Sequence, residues 1–201
     1  MMFHSPILKR AGVITWIVFA LCFGFTLLIR AGYSPLTRWF LFYPEAIKHG
    51  QIWRIITPAF LHFSMLGSVF VHLLFNTTIW LNLASAIESH ERSSRLAGLF
   101  FFSAISSNII AYLSYSSAFG GLSGVVYALI GYIGMRGRFD VYYQTILPPS
   151  MIRVFIGFML IGYTGLFGVM ANNAHLSGFF AGVLYAYGSG KRFRRFKNEC
   201  R

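Results

Sequence analysis

The chain has 201 residues, of which 56% are hydrophobic, 11% are charged and 22 are Phe. With a mean hydropathy of +0.62, so few charges would not clothe a water-soluble globule of this size, so a soluble domain is excluded. The formal net charge of +12 surrounds apolar runs and carries no nucleic-acid-binding signature. It is read as a membrane-orientation signal, with no nucleic acid partner.

Six apolar runs follow in chain order, at about 11–29, 68–87, 96–115, 121–136, 151–167 and 171–188. Each spanning helix requires about 20 apolar residues. The expectation is an all-α membrane protein, a bundle of six transmembrane helices forming a single domain over 1–201, with a basic tail at 189–201. The first run follows Lys9 and Arg10 and lacks a small-residue cleavage site, so it reads as a retained span. Residues 31–67, with Trp39, Trp53 and three prolines, are too aromatic for a solvated linker. The fourth run is short, which places its start below the membrane surface.

Sorting Lys and Arg by side, with the N-terminus inside, puts thirteen on the inner face against four on the outer, namely Arg30, Arg38, Lys48 and Arg54. Both termini are therefore expected in the cytoplasm, with 31–67 facing outward. Cys22 and Cys200 offer neither a metal spacing nor a disulfide framework.

Polar side chains inside a span cost free energy and usually face the bundle interior. His72 and Asn76, four residues apart, share one helix face. They serve either as interhelical glue or as two hydrogen-bond donors converging on one point. Ser123 stands in Gly120-Gly121-Leu122-Ser123-Gly124, where it is a helix cap or a nucleophile. Tyr127, one turn on, is a core tyrosine or a support for a neighbouring ring. His175, followed by Gly178 and Gly182, lies on a helix with a smooth seam. It reads as a packing residue, a proton relay or a ligand, and zinc is poorly supported by so few histidines. Together these residues supply nucleophile, base and oxyanion donors, and with no intramembrane carboxylate the chemistry takes the form of a Ser-His dyad.

Over about Trp53 to Tyr187 the chain resembles the rhomboid family of intramembrane serine proteases, of the bacterial GlpG type. The resemblance rests on Trp53-Arg54, His72-Leu73-Leu74-Phe75-Asn76, Glu88, Gly120-Gly121-Leu122-Ser123-Gly124-Val125-Val126-Tyr127-Ala128 and Ala174-His175-Leu176-Ser177-Gly178. It implies Ser123 as nucleophile, His175 as general base and Tyr127 packed on the imidazole. It further implies an oxyanion hole from His72, Asn76 and the Ser123 N–H, with Gly121 shaping the substrate site. Phe167 then corresponds to the aromatic plug of the cap loop, and Phe158 stands where a Trp is often found at the lateral gate. The implied partners are transmembrane segments of other proteins, cut near their outer ends, and the lipid bilayer. No cofactor is implied, and the implied location is the bacterial inner membrane.

Two spacings depart from the family pattern. Seven residues separate Ser64 from His72 where two are usual, so either the outward loop bulges or the second helix starts earlier. The stretch 167–175 is about one residue short. Three other activities fit parts of this pattern: a pseudoprotease that retains membrane clients, a sorting protease with a dedicated C-terminal signal, and a transporter using His72 and His175 as a proton path. The last lacks the internal symmetry expected of many transporters.

Overall fold

The computed structural model describes residues 10–166 and 170–199, with side chains to residue 189. The described residues are helical, apart from turns and one isolated bridge. The helices are α1 Val13–Leu28, α2 Pro44–Lys48, α3 Val69–His90, α4 Ser93–Ser114, α5 Ser123–Arg136, α6 Val141–Ile146, α7 Pro149–Gly162 and α8 Asn172–Glu199. The sixth apolar run thus continues as helix through the basic stretch rather than ending near 188. By length and apolarity, α3 and α4 suffice to cross a bilayer, while α1 and α7 are apolar but shorter. Large apolar side chains such as Phe70, Leu74, Phe101, Leu113, Leu160 and Leu184 are exposed on the helix surfaces. That surface suits lipid rather than water.

Charge at the helix ends ties α1 to α3. The first N–H groups of a helix have no partner within it. Those of Ile14 and Thr15 donate to the Glu88 carboxylate at 3.0 and 2.9 Å, and the Thr15 hydroxyl donates to it at 2.6 Å. A carboxylate here also complements the positive end of the helix dipole. Nearby, the Trp80 indole N–H donates to the Thr15 carbonyl at 2.9 Å. Glu91, at the same end of α3, accepts from the hydroxyls of Tyr132 and Tyr143, both at 2.6 Å, and pairs with Arg95 at 3.2 Å. Five helices, α1, α3, α4, α5 and α6, are thereby joined at one end of the bundle.

The connection between α1 and α3 is a folded element built from short 3-10 turns around α2. Arg54 is buried, and its guanidinium donates to the carbonyls of Arg38 and Leu41 at 2.5 and 3.0 Å and to Gln51 at 2.7 Å. Trp53 donates to the Trp39 carbonyl at 3.0 Å, and Thr57 to that of Phe40 at 2.7 Å. Phe60 then anchors the segment in the core, stacked between Phe25 and Phe100. The Asn108 amide of α4 donates to the Ile55 carbonyl at 2.8 Å.

The densest packing lies between α5 and α8, which run parallel in glycine register. A Cβ on Gly178 would collide with the Gly124 carbonyl, and one on Gly182 with the Ala128 carbonyl. Both pairs advance by four residues, so one small-residue seam fixes the two helices against each other. Gly124 also receives the Ser107 side chain of α4, where a Cβ would lie 2.6 Å from Oγ. Replacing Gly182 with Ala is expected to destroy thermal stability and yield of folded protein. Gly188→Ala, with nothing within 4 Å of the new methyl, is expected to melt like the parent in scanning fluorimetry.

Candidate active site

Ser123 is the first residue of α5, and its side chain does not cap the helix. The N-cap is Leu122, which makes no side-chain capping bond. The Ser123 hydroxyl instead meets His175 of α8, with Oγ 2.8 Å from Nε2. The glycine seam produces this meeting. Side chains on a helix lean toward its N-terminus, so with Gly178 against Gly124 the Ser123 hydroxyl reaches back to the imidazole one turn above. His175 is 4% exposed and its Nδ1 is buried without a hydrogen bond from the protein. With its proton on Nδ1, the ring offers the Nε2 lone pair to the hydroxyl. The arrangement can deprotonate the hydroxyl as it attacks an electrophile.

Tyr127 lies one turn along α5, its ring centroid 5.0 Å from that of His175 at 31°. Its hydroxyl donates to the Phe155 carbonyl of α7 at 3.1 Å, so the ring is held from both ends beneath the imidazole. Gly121 adopts φ +132°, a conformation open to glycine and rarely to other residues. Its N–H donates to the Pro58 carbonyl at 3.0 Å. A Cβ there would sit 2.8 Å from His72 Nε2 and 3.7 Å from Ser123 Oγ. The bare glycine therefore leaves open the small space on which both groups converge.

His72, in the first turn of α3, is fixed by a bond from Nδ1 to the Phe63 carbonyl at 3.0 Å. Asn76 follows one turn on, 2% exposed, with its Nδ2 buried and unpaired within the protein. A buried amide donor without a partner is costly; at this place it is available to a bound molecule. The Ser123 N–H, at the helix start, is likewise outside the intrahelical ladder. Phe158 is 45% exposed on α7. Phe167 lies outside the described residues.

Residues 49–192 match the family model of the Rhomboid domain. The chain belongs to the rhomboid family. Relatives with the same figures include "Rhomboid protease GlpG" from Klebsiella pneumoniae (strain 342) and from Klebsiella pneumoniae subsp. pneumoniae. Each is 32% identical over 187 residues, covering 92% of this chain and 66% of the relative. "Rhomboid protease GlpG" of Salmonella enteritidis PT4 matches equally, at 32% over the same length. This rhomboid chain thus spans about two thirds of the length of the curated relatives it matches.

The residues just before α3 form a tight turn. Met65 and Ser68 exchange backbone bonds at 3.1 Å in both directions, and Leu66 and Gly67 between them have φ of 52° and 78°. Two successive positive φ values mark the hairpin turn that suits a two-residue loop. The chain before His72 therefore makes a two-residue turn, and α3 of this rhomboid starts at Val69.

His62 is the site neighbour that the sequence reading passed over. It is fully buried, its Nδ1 donates to the Phe60 carbonyl at 3.1 Å, and its ring stands edge-on to His72 with centroids 5.0 Å apart. Its place between Leu61 and Phe63 in an aromatic-rich loop was the available signal. Burial, and secondarily the neighbouring His72, push the His62 imidazole down to about 3. The depressed value means the fold favours the neutral ring. Its contribution to stability is complete above the unfolded value near 6.5 and is lost as pH falls from there toward about 3. Melting in detergent between those limits is expected to weaken by up to about 1.4 kcal/mol per pH unit from this residue, and the slope should be shallower in His62→Asn.

Proposed function

We propose that this rhomboid protein is an intramembrane serine endopeptidase that cleaves transmembrane segments of other membrane proteins near their outer ends. The observation that carries the reading is the 2.8 Å approach of Ser123 Oγ to His175 Nε2, supported by membership of a family whose curated relatives are named proteases. Six spans at α1, α3, α4, α5, α7 and α8 cross the bacterial inner membrane, with both termini in the cytoplasm. The thirteen-to-four distribution of basic residues supports this orientation.

In this mechanism His175 Nε2 takes the Ser123 proton as Oγ attacks the scissile carbonyl, and then delivers it to the leaving amine. Water hydrolyses the resulting ester with the same ring as base. The Asn76 amide and the Ser123 N–H face the developing oxyanion, and Gly121 leaves room for the substrate carbonyl. Tyr127 keeps the imidazole from swinging away, a role suited to a dyad without a carboxylate.

One geometric feature supports catalysis within a bilayer. At 14 residues, α5 is about 21 Å long against a hydrocarbon core of about 30 Å. With its inner end near one surface, Ser123 sits well below the other, beneath the folded connection. A transmembrane helix hides its carbonyls in its own hydrogen bonds, so residues that loosen a helix are expected in the substrates.

The test is a panel of labelled transmembrane segments incubated with wild type, Ser123→Ala and His175→Ala in bilayers, alongside fluorophosphonate labelling. Cleavage by wild type alone, with labelling lost in Ser123→Ala, is the expected result. Labelling of wild type no stronger than that of Ser123→Ala, with no cleavage, would leave a client-binding pseudoprotease instead. Asn76→Ala is expected to retain labelling while kcat falls ~10²–10³-fold, the scale for loss of one oxyanion donor.

A further inference from the structure

His72 and Ser123 converge on one space, yet the bond that fixes His72 sets what its ring can offer there. A backbone carbonyl only accepts hydrogen bonds. With Nδ1 at 3.0 Å from the Phe63 carbonyl, the proton of a neutral His72 ring must be on Nδ1. Nε2, aimed into the space beside Gly121, then presents a lone pair. A lone pair repels an oxyanion, so neutral His72 in this orientation is an acceptor and not a donor.

The titratable and polar groups facing the ring are His62 from the connection, edge-on at 5.0 Å between centroids, and the Ser123 hydroxyl of α5, which engages His175 of α8. Asn76 stands one turn along α3. None of these carries negative charge, so the resting site holds no counter-ion for an imidazolium. His62 is itself committed through Nδ1 to the Phe60 carbonyl, and its unpaired Nε2 is likewise an acceptor.

We infer that His72 enters the oxyanion hole only as an imidazolium, taking a proton on Nε2 as negative charge forms on the bound carbonyl oxygen while Nδ1 keeps its bond to Phe63. Ser123 Oγ bonds to the carbonyl carbon, the carbonyl π pair moves onto oxygen, the hydroxyl proton passes to His175 Nε2, and the proton reaching His72 comes from solvent. The charge for the oxyanion thus arrives with the reaction, and the Phe63 carbonyl positions the ring for it. A charge-assisted bond is about twice as strong as a neutral one, so the proton adds transition-state binding that a neutral donor would lack. This inference rests on the protease reading.

The experiment uses the intact protein labelled with ¹⁵N-histidine in detergent micelles, free and bound to a peptidyl aldehyde ending in alanine, with adduct formation on Ser123 checked by mass spectrometry. The His72 ring signals are assigned by their loss in His72→Gln, or by through-bond correlation in the wild type should that variant not fold. Expected are one bare and one protonated His72 nitrogen in the free protein, and two protonated nitrogens in the adduct. A bare Nε2 in the adduct would overturn the inference, and so would a bare Nδ1 with a protonated Nε2, which makes His72 a neutral donor. Failure of the aldehyde to form an adduct with Ser123 would instead strike the protease reading. In cleavage assays His72→Ala is expected to lower kcat by ~10²–10³-fold, with His72→Gln, a neutral donor, recovering only part of the loss.

Discussion

The backbone contact between α5 and α8 is the constraint on which the site depends. At Gly178 and Gly182 the carbonyls of Gly124 and Ala128 occupy the place where a side chain would begin. In lipid there is no hydrophobic drive for one helix to leave its surroundings for another, so close van der Waals approach must supply the association. The contact also sets register. Sliding α8 by one residue would rotate His175 by about 100° away from Ser123. The 2.8 Å distance between hydroxyl and imidazole is therefore a property of two glycines below it as much as of the two residues themselves.

Around this pair, the remaining elements bring groups that no single helix could supply. The connection between α1 and α3 delivers the Pro58 and Phe63 carbonyls, which hold Gly121 and His72. That connection keeps its shape through Arg54, whose charge is spent on main-chain carbonyls and Gln51. From α7 the Phe155 carbonyl receives Tyr127. At its C-terminal end α7 is tied to the start of α8, where Asn172 donates to the Gly162 carbonyl at 2.9 Å and Tyr163 to Asn173 at 2.7 Å. Three buried polar atoms without a hydrogen-bond partner in the protein, Asn76 Nδ2, His62 Nε2 and His175 Nδ1, belong to this neighbourhood. A polar pocket of this kind within apolar helices stores hydrogen-bonding capacity for something that enters.

Much of this was legible in the sequence because the membrane simplifies the signal. Six apolar runs stand against polar breaks, and α3 begins at Val69 and α5 at Ser123, within about two residues of the runs read from composition, the usual scatter of helix ends. The Ser123, Tyr127 and His175 side chains stood out because polar and glycine residues are conspicuous in such runs. What was not legible lies where the chain leaves helical periodicity. The two-residue turn at Leu66 and Gly67 lacks the Asn-Gly or Asp-Gly signature that such turns favour, so residue counting alone left a bulge and an earlier helix start equally open. His62 was hidden for the opposite reason, as a polar residue in a segment where polar residues are expected. The continuation of α8 to Glu199 escaped because loss of apolarity was read as loss of helix, although lysine and arginine are good helix formers.

The bond from Glu88 to the start of α1 carries a consequence for how the chain settles in the bilayer. It joins residues 73 and 74 positions apart, from the first turn of α1 to the end of α3. Only antiparallel packing of these two helices brings the carboxylate to the amide groups it serves. Were α3 threaded the other way, an acidic group would be stranded at the opposite headgroup layer and the opening turn of α1 would keep bare donors. The pair thus ties the antiparallel arrangement of α1 and α3 to a single carboxylate.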